Sequence, residues 1–111
     1  MVNISDTALV KITVNVPETH ADTLREALAK AGAGKLGNYS SCSFSVKGVG
    51  RFKPEQGSHP AIGEMGKLEE VIEEQIQVLC PRADSVAVVA ALRAAHPYEE
   101  PAYSVCALED I

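Results

Sequence analysis

The side chains best able to do chemistry in this chain fall in one short run, Ala95-His96-Pro97-Tyr98-Glu99-Glu100-Pro101-Ala102-Tyr103. It holds an imidazole, two phenols and two carboxylates, all groups that bind or move protons, between prolines that constrain the backbone. His59 and Glu64 offer the same donor types from Glu55–Gly66, a long stretch punctuated by Gly57, Pro60, Gly63 and Gly66. Long irregular segments of this kind in small domains are usually binding elements or lids. His96 and Glu99, with His59 and Glu64, therefore form a candidate nitrogen-and-oxygen set for a divalent transition-metal ion. No two histidines have the His-x-x-x-His spacing that would make the motif specific. A plainer reading competes with it: a histidine at a helix C-terminus interacts favourably with the dipole, two prolines fix the chain's exit, and the long segment is a solvated loop.

Other motifs carry less. Gly32-Ala33-Gly34-Lys35-Leu36-Gly37 matches G-x-G-x-x-G, but a dinucleotide fingerprint needs a strand before it and a helix after it, and here the order is reversed. A helix C-cap followed by a turn is the simpler account, with an anion nest around Lys35 as the alternative. Cys42, Cys80 and Cys106 are odd in number and lack Cys-x-x-Cys spacing, which indicates neither a disulfide framework nor a zinc ribbon. Cys42 and Cys80 continue apolar faces as core residues do. No nucleophile elbow or phosphate loop is present.

The elements that must position these groups follow from periodicity. Val10, Ile12, Val14 and Val16 alternate with Lys11, Thr13 and Asn15, as a half-buried strand requires. Pro17 ends the strand, Thr19 and Asp22 have capping-box spacing, and Ala21, Leu24, Leu28 and Ala31 predict a helix closed by Gly32. Cys42, Phe44 and Val46 predict a second strand that turns Ser43, Ser45 and Lys47 outward; Arg51-Phe52-Lys53-Pro54 extends it. Leu68–Cys80 fits helix or strand. Its β-branched residues Val71, Ile72, Ile76 and Val78, and the need for a further strand beneath two helices, favour strand, with a bulge near Glu74, which points to the apolar face. Pro81 opens a second helix with Val86, Val89, Ala90 and Leu92 inward, ending at Ala95 or His96 because Pro97 disfavours helical geometry before it. Ala102–Leu108 is the final strand, and Met1–Ala8 is expected to be a flexible tail ahead of a single domain over 9–111.

This order, βαββαβ, predicts an α+β ferredoxin-like sandwich: a four-stranded antiparallel sheet with both helices on one face. Right-handed crossovers bring the end of strand 1, the loop between strands 2 and 3, and the turn after helix 2 to one rim. That rim collects His20, His59, Glu64, His96, Tyr98, Glu99 and Glu100. The glycine turn and the cysteines go to the other end. Because an eight-residue strand spans about 26 Å, a Cys–His catalytic dyad is nearly excluded within one subunit.

The whole chain bounds the function further. Ten Lys and Arg against fifteen Asp and Glu leave a net charge of −5 over 111 residues, which argues against nucleic acid or an anionic membrane as partner. No apolar run approaches the roughly 18–20 residues of a membrane span, and no signal-peptide pattern opens the chain, so the expected location is the cytoplasm.

Several segments carry a resemblance: Gly32 to Ser45 (Gly-Ala-Gly-Lys-Leu-Gly-Asn-Tyr-Ser-Ser-Cys-Ser-Phe-Ser), Phe52-Lys53-Pro54, Ile62-Gly63 and His96 to Tyr103. They resemble the insert domain of the YqfO and YbgI group, over nearly all of Val10–Leu108. In that group the insert is similar in fold to PII signalling proteins and to CutA, both trimeric, and interrupts a separate domain that holds a dinuclear metal centre. The resemblance thus implies a homo-oligomer, most simply a trimer, and a binding or regulatory module of PII or CutA type. It implies no hydrolase activity for this chain, because the metal centre belongs to the other domain. Lys35, Tyr39, Lys53, Tyr98 and Glu100 are the candidate ligand-binding residues, and His59, Glu64, His96 and Glu99 the candidate metal ligands. The alternative function is a structural or interaction subunit that docks on a partner protein without a ligand of its own.

Overall fold

The computed structural model describes residues 8–109. Strands β1 (Leu9–Pro17), β2 (Phe44–Phe52), β3 (Glu69–Pro81) and β4 (Tyr103–Ala107) alternate with helices α1 (Ala21–Lys30) and α2 (Ser85–Ala95), each helix entered through a short 3-10 turn. The strands form one antiparallel sheet in the order β2-β3-β1-β4. This is the expected βαββαβ sandwich, and Leu68–Cys80 is indeed a strand. Val10, Ile12, Val14 and Val16 of β1 pack with Ile76, Val78 and Cys80 of β3 beneath Leu24 and Leu28 of α1 and Val88 and Leu92 of α2. At about 25 cal/mol per Å2 of apolar surface, this core is the main source of stability. No helix among the described residues is long and apolar enough to cross a membrane.

Helix α1 ends as its glycine requires. Gly32 has φ +115, its N–H donates to Ala29 O, and the next N–H, of Ala33, reaches back to Leu28 O, the paired bonds of a Schellman cap. Gly34 then lies so close to the following segment that a Cβ would fall 2.6 Å from the Cys42 carbonyl oxygen. Its N–H donates to Leu79 O and its carbonyl accepts from Cys42 N–H. The glycine motif is therefore a helix stop sewn to the end of the sheet.

Four local expectations are corrected. The register of β2 on β3 sets Ser45 opposite Ile76 and Lys47 opposite Glu74, so Ser45 and Lys47 take the helix-side face, and Phe44 and Val46 the open one. The reason is coverage: at this edge the helix side is polar, with Arg25 of α1 bonding both Ser45 Oγ (3.1 Å) and Glu74 Oε1 (2.7 Å). The same arginine removes the need for a bulge. Glu74 does point to the helix side, yet pairing stays regular through it, because an ion pair compensates its charge. In α2, Val86 (82% exposed) and Ala90 face solvent, while Val88 enters the core; a helix this rich in Ala and Val offers more than one apolar stripe. Thr19 makes no capping box. It contacts His20 Nδ1 at 2.9 Å, and Asp22 instead bonds Arg25. The proposed tail falls outside the described residues except Ala8, whose carbonyl accepts from Arg82 N–H.

Candidate functional site

Pro97 forces the residue before it out of helical geometry, and His96 accordingly has φ −77 and ψ 135 at the end of α2. That turn buries the imidazole to 6% exposure. Nε2 lies 2.7 Å from Asn15 O, and Nδ1 lies 3.0 Å from the Tyr98 backbone nitrogen. A carbonyl only accepts and an N–H only donates, so the ring is the neutral tautomer protonated at Nε2. Burial holds its pKa below the ordinary value, outweighing the Asn15 carbonyl and the nearby Glu73 carboxylate, which act the other way. The helix dipole does not keep this ring charged.

His96 in turn aims Tyr98. The two rings lie 5.2 Å apart, and the Tyr98 hydroxyl donates to Glu73 Oε2 at 3.0 Å. Burial, together with that carboxylate, pushes the phenol's pKa well above its usual value. Glu73 is itself only 8% exposed. It has room because β2 carries a glycine beside it: a Cβ on Gly50 would sit 2.1 Å from Glu73 Oε1. Phe52 meets Tyr98 edge to face, with centroids 5.4 Å apart. The long connection after β2 folds toward the same place, where His59 N–H donates to Glu99 Oε1 at 2.8 Å across forty residues of sequence. Gly50, Phe52, Glu73, Tyr98 and Glu99 line a cleft of about 530 Å3, together with Asn15 and with Pro60, Ala61 and Ile62 of the long connection.

The expected rim therefore exists, with a different membership. Lys53, Tyr98, Glu99 and Glu100 line the cleft. His59 touches its edge through a backbone N–H, and its ring is exposed. Glu64 is exposed and contributes only a carbonyl, to Lys67 N–H. His96 uses both ring nitrogens within the fold. Among the described residues no group of three or more His, Cys, Asp or Glu side chains is placed to hold a metal ion, so His59, Glu64, His96 and Glu99 are not assembled as a ligand set. Lys35 and Tyr39 are carried away by the Gly34–Leu79 contact to the far end of the sheet. A second groove of about 730 Å3 there, between α1 and Ser40–Ser43, is not lined by either of them. Glu73, Gly50, Phe52 and Asn15 were not singled out from sequence. The available signal was Gly50 itself, since glycine inside a strand often marks a close approach.

The fold and cleft define a class first. Among solved structures, CutA1 from Shewanella sp. SIB1 matches 95% of this chain and 85% of its own with a TM-score of 0.68 and 16% identity. The periplasmic divalent cation tolerance protein CutA from Archaeoglobus fulgidus gives a TM-score of 0.65 at 17% identity, over 92% of this chain and 85% of its own. At such identities the likeness is one of fold: an α+β ferredoxin-like domain of CutA type. Similarity in sequence then leads to longer proteins. The GTP cyclohydrolase 1 type 2 homolog of Halalkalibacterium halodurans is 52% identical over 98 residues, 88% of this chain but 26% of that protein. The homolog of Mycobacterium tuberculosis is 46% identical over 100 residues, again 26% of its length. A Bacillus cereus protein related to NIF3 superposes on 94% of this chain with a TM-score of 0.80 and 43% identity, using 26% of its own length. The chain thus spans about a quarter of the length of these relatives. No protein-family model matches it.

Proposed function

We propose that the chain is a small-ligand-binding regulatory module without catalytic activity of its own, and that its ligand occupies the cleft between the connection after β2 and the turn after α2. The observation that carries this reading is the cleft, which joins segments distant in sequence through the His59–Glu99 contact and has the size of a typical small-molecule site. A polar small ligand fits better than a bare transition ion, because the His96 ring is already spent. In the longer relatives the corresponding domain would act as an insert that reports ligand to its neighbour. Native mass spectrometry of the purified protein, followed by amide-shift mapping of whatever is retained, tests this. Shifts at Gly50, Phe52 and Tyr98 that leave Lys35 and Tyr39 unmoved are expected; a ligand that perturbs only the far end would overturn it.

A second reading, association with further copies of the chain, draws support from a separate observation. Phe44 is 63% exposed on the open sheet face, with Val46 beside it, and β2 and β4 leave free edges. We read this surface as self-association, with the trimer favoured by the resemblance to PII and CutA. Light scattering at several concentrations decides it.

A further inference from the structure

We propose that the cleft is built for an organic cation, an ammonium or amidinium carried on a flat apolar body. This rests on the ligand-binding reading above and names the class of ligand.

The cleft carries negative charge that is left over. The two cationic side chains in the cleft wall are already engaged: Arg51 Nε is 3.2 Å from Glu70 Oε1, and Lys53 Nζ is 3.8 Å from Glu55 Oε1. Glu99 accepts the His59 amide. Glu73 and Glu100 have no cationic partner among the described residues. Of these two, Glu73 is the informative one, because it is more than nine-tenths buried and faces the cleft. Its Oε2 takes the Tyr98 hydroxyl, while Oε1 lies over the bare Cα of Gly50 and receives no hydrogen bond from any described residue. The residue as a whole is largely removed from water and has no cation beside it, while Oε1 itself stays open, and what best meets such a carboxylate is a hydrogen-bond donor bearing positive charge.

The surroundings narrow the class. Phe52 and Tyr98 pack edge to face directly beside Glu73, presenting the aromatic surface that attracts a cation, and Ile62 and Pro60 supply an apolar wall. An anion would meet several carboxylates here. A bare metal ion would find no set of three ligands among the described residues. Gly50 completes the design: any larger residue would displace Oε1 from the position in which it faces the cleft.

The test is titration of the full chain, labelled with nitrogen-15, with benzamidinium, its near-isostere benzamide, and benzoate. Benzamidinium is expected to shift the Gly50, Phe52 and Tyr98 amides and to bind about tenfold or more tightly than benzamide. Glu73→Gln, which preserves shape, should reduce benzamidinium to the level of benzamide, and Phe52→Leu should weaken benzamidinium independently; circular dichroism checks that each variant is folded. If Glu73→Gln fails to fold, the wild-type preference for cation over isostere and the Phe52→Leu result decide the matter. Equal binding of benzamidinium and benzamide in the cleft, or a Glu73→Gln variant that binds benzamidinium as wild type does, overturns the cation class and leaves the cleft as a ligand site. If none of the three probes moves the cleft amides, both readings fall.

Discussion

At His96 two effects compete, the favourable interaction of a charged imidazole with the C-terminal end of α2 and the cost of charging a ring only 6% exposed. Burial wins, and it does so while one nitrogen holds Asn15 in distant β1 and the other holds Tyr98 in the adjoining turn. An unfolded histidine titrates near pH 6.5, and the folded pKa is lower. Between those two values the unfolded chain binds a proton that the folded chain does not. Stability is therefore full above about pH 6.5 and declines as pH falls through that value toward the folded pKa. Urea unfolding at pH 7.5 and 5.5 should show the loss, and His96→Gln should flatten it. His96→Ala at pH 7.5 leaves Asn15 O and Tyr98 N–H without partners and should cost about 2–3 kcal/mol, measured by the same unfolding curves. Zinc titrated into wild type and His96→Ala by calorimetry should give indistinguishable heats, since the ring has no free nitrogen to offer.

Among the elements, α1 is held at its C-terminal end and along one flank by contacts its own periodicity does not reveal. Its last turn passes into Gly34, with φ +86 and no space for a Cβ against the Cys42 backbone. Gly34→Ala should destabilise the domain by about 2 kcal/mol or more, because both the left-handed backbone and the carbonyl oppose the methyl group. Gly37→Ala is the control: its φ is also positive, at +55, but a Cβ there meets nothing within 4 Å, and it should cost less. Along its flank, Arg25 joins Asp22, Glu74 and Ser45. The Asp22 bond, then the Glu74 bond, raises the guanidinium's already high pKa. Arg25→Met strands Glu74, whose side chain is only 15% exposed, and a loss of about 1–2 kcal/mol is expected, below that of a fully buried pair. The double variant Arg25→Met with Glu74→Met should recover much of it.

For the whole molecule, the register of β2 sets which side chains the open face of the sheet presents. It turns Phe44 and Val46 onto the open face of the sheet, where an apolar surface favours burial against another chain. The expected outcome is a concentration-independent oligomer in light scattering. Phe44→Glu combined with Val46→Glu should shift it toward monomer without loss of helix content in circular dichroism. A monomer for wild type at every accessible concentration would remove self-association as a function of this face.

Local pattern alone was enough for the βαββαβ order, the β1 core stripe, the Gly32 helix stop and the rim that gathers the turn after α2 with the long connection after β2. Each follows from spacing along the chain, because alternation, helical periodicity, prolines and glycines act over a few residues. Tyr98, Glu99 and Glu100 were legible as rim residues for the same reason, since they sit at an element end that topology brings to that rim, whereas Lys53 was named only among the candidates that accompany the resemblance. The face of β2, the regular pairing at Glu74, and the choice of Val88 over Val86 were decided only in the tertiary structure, since each depends on what lies opposite: Arg25 across the sheet edge, or the core beneath α2. The use of His96 was decided in the same way. From sequence it is a free imidazole; in the fold, Asn15 O and Tyr98 N–H take both nitrogens and burial keeps it neutral. Glu73 was unreadable as a site residue because it is one of several glutamates in β3, and only pairing with β2 shows that Gly50 leaves it room and Tyr98 covers it. A side chain's type is local information, whereas its partners and its solvent are not.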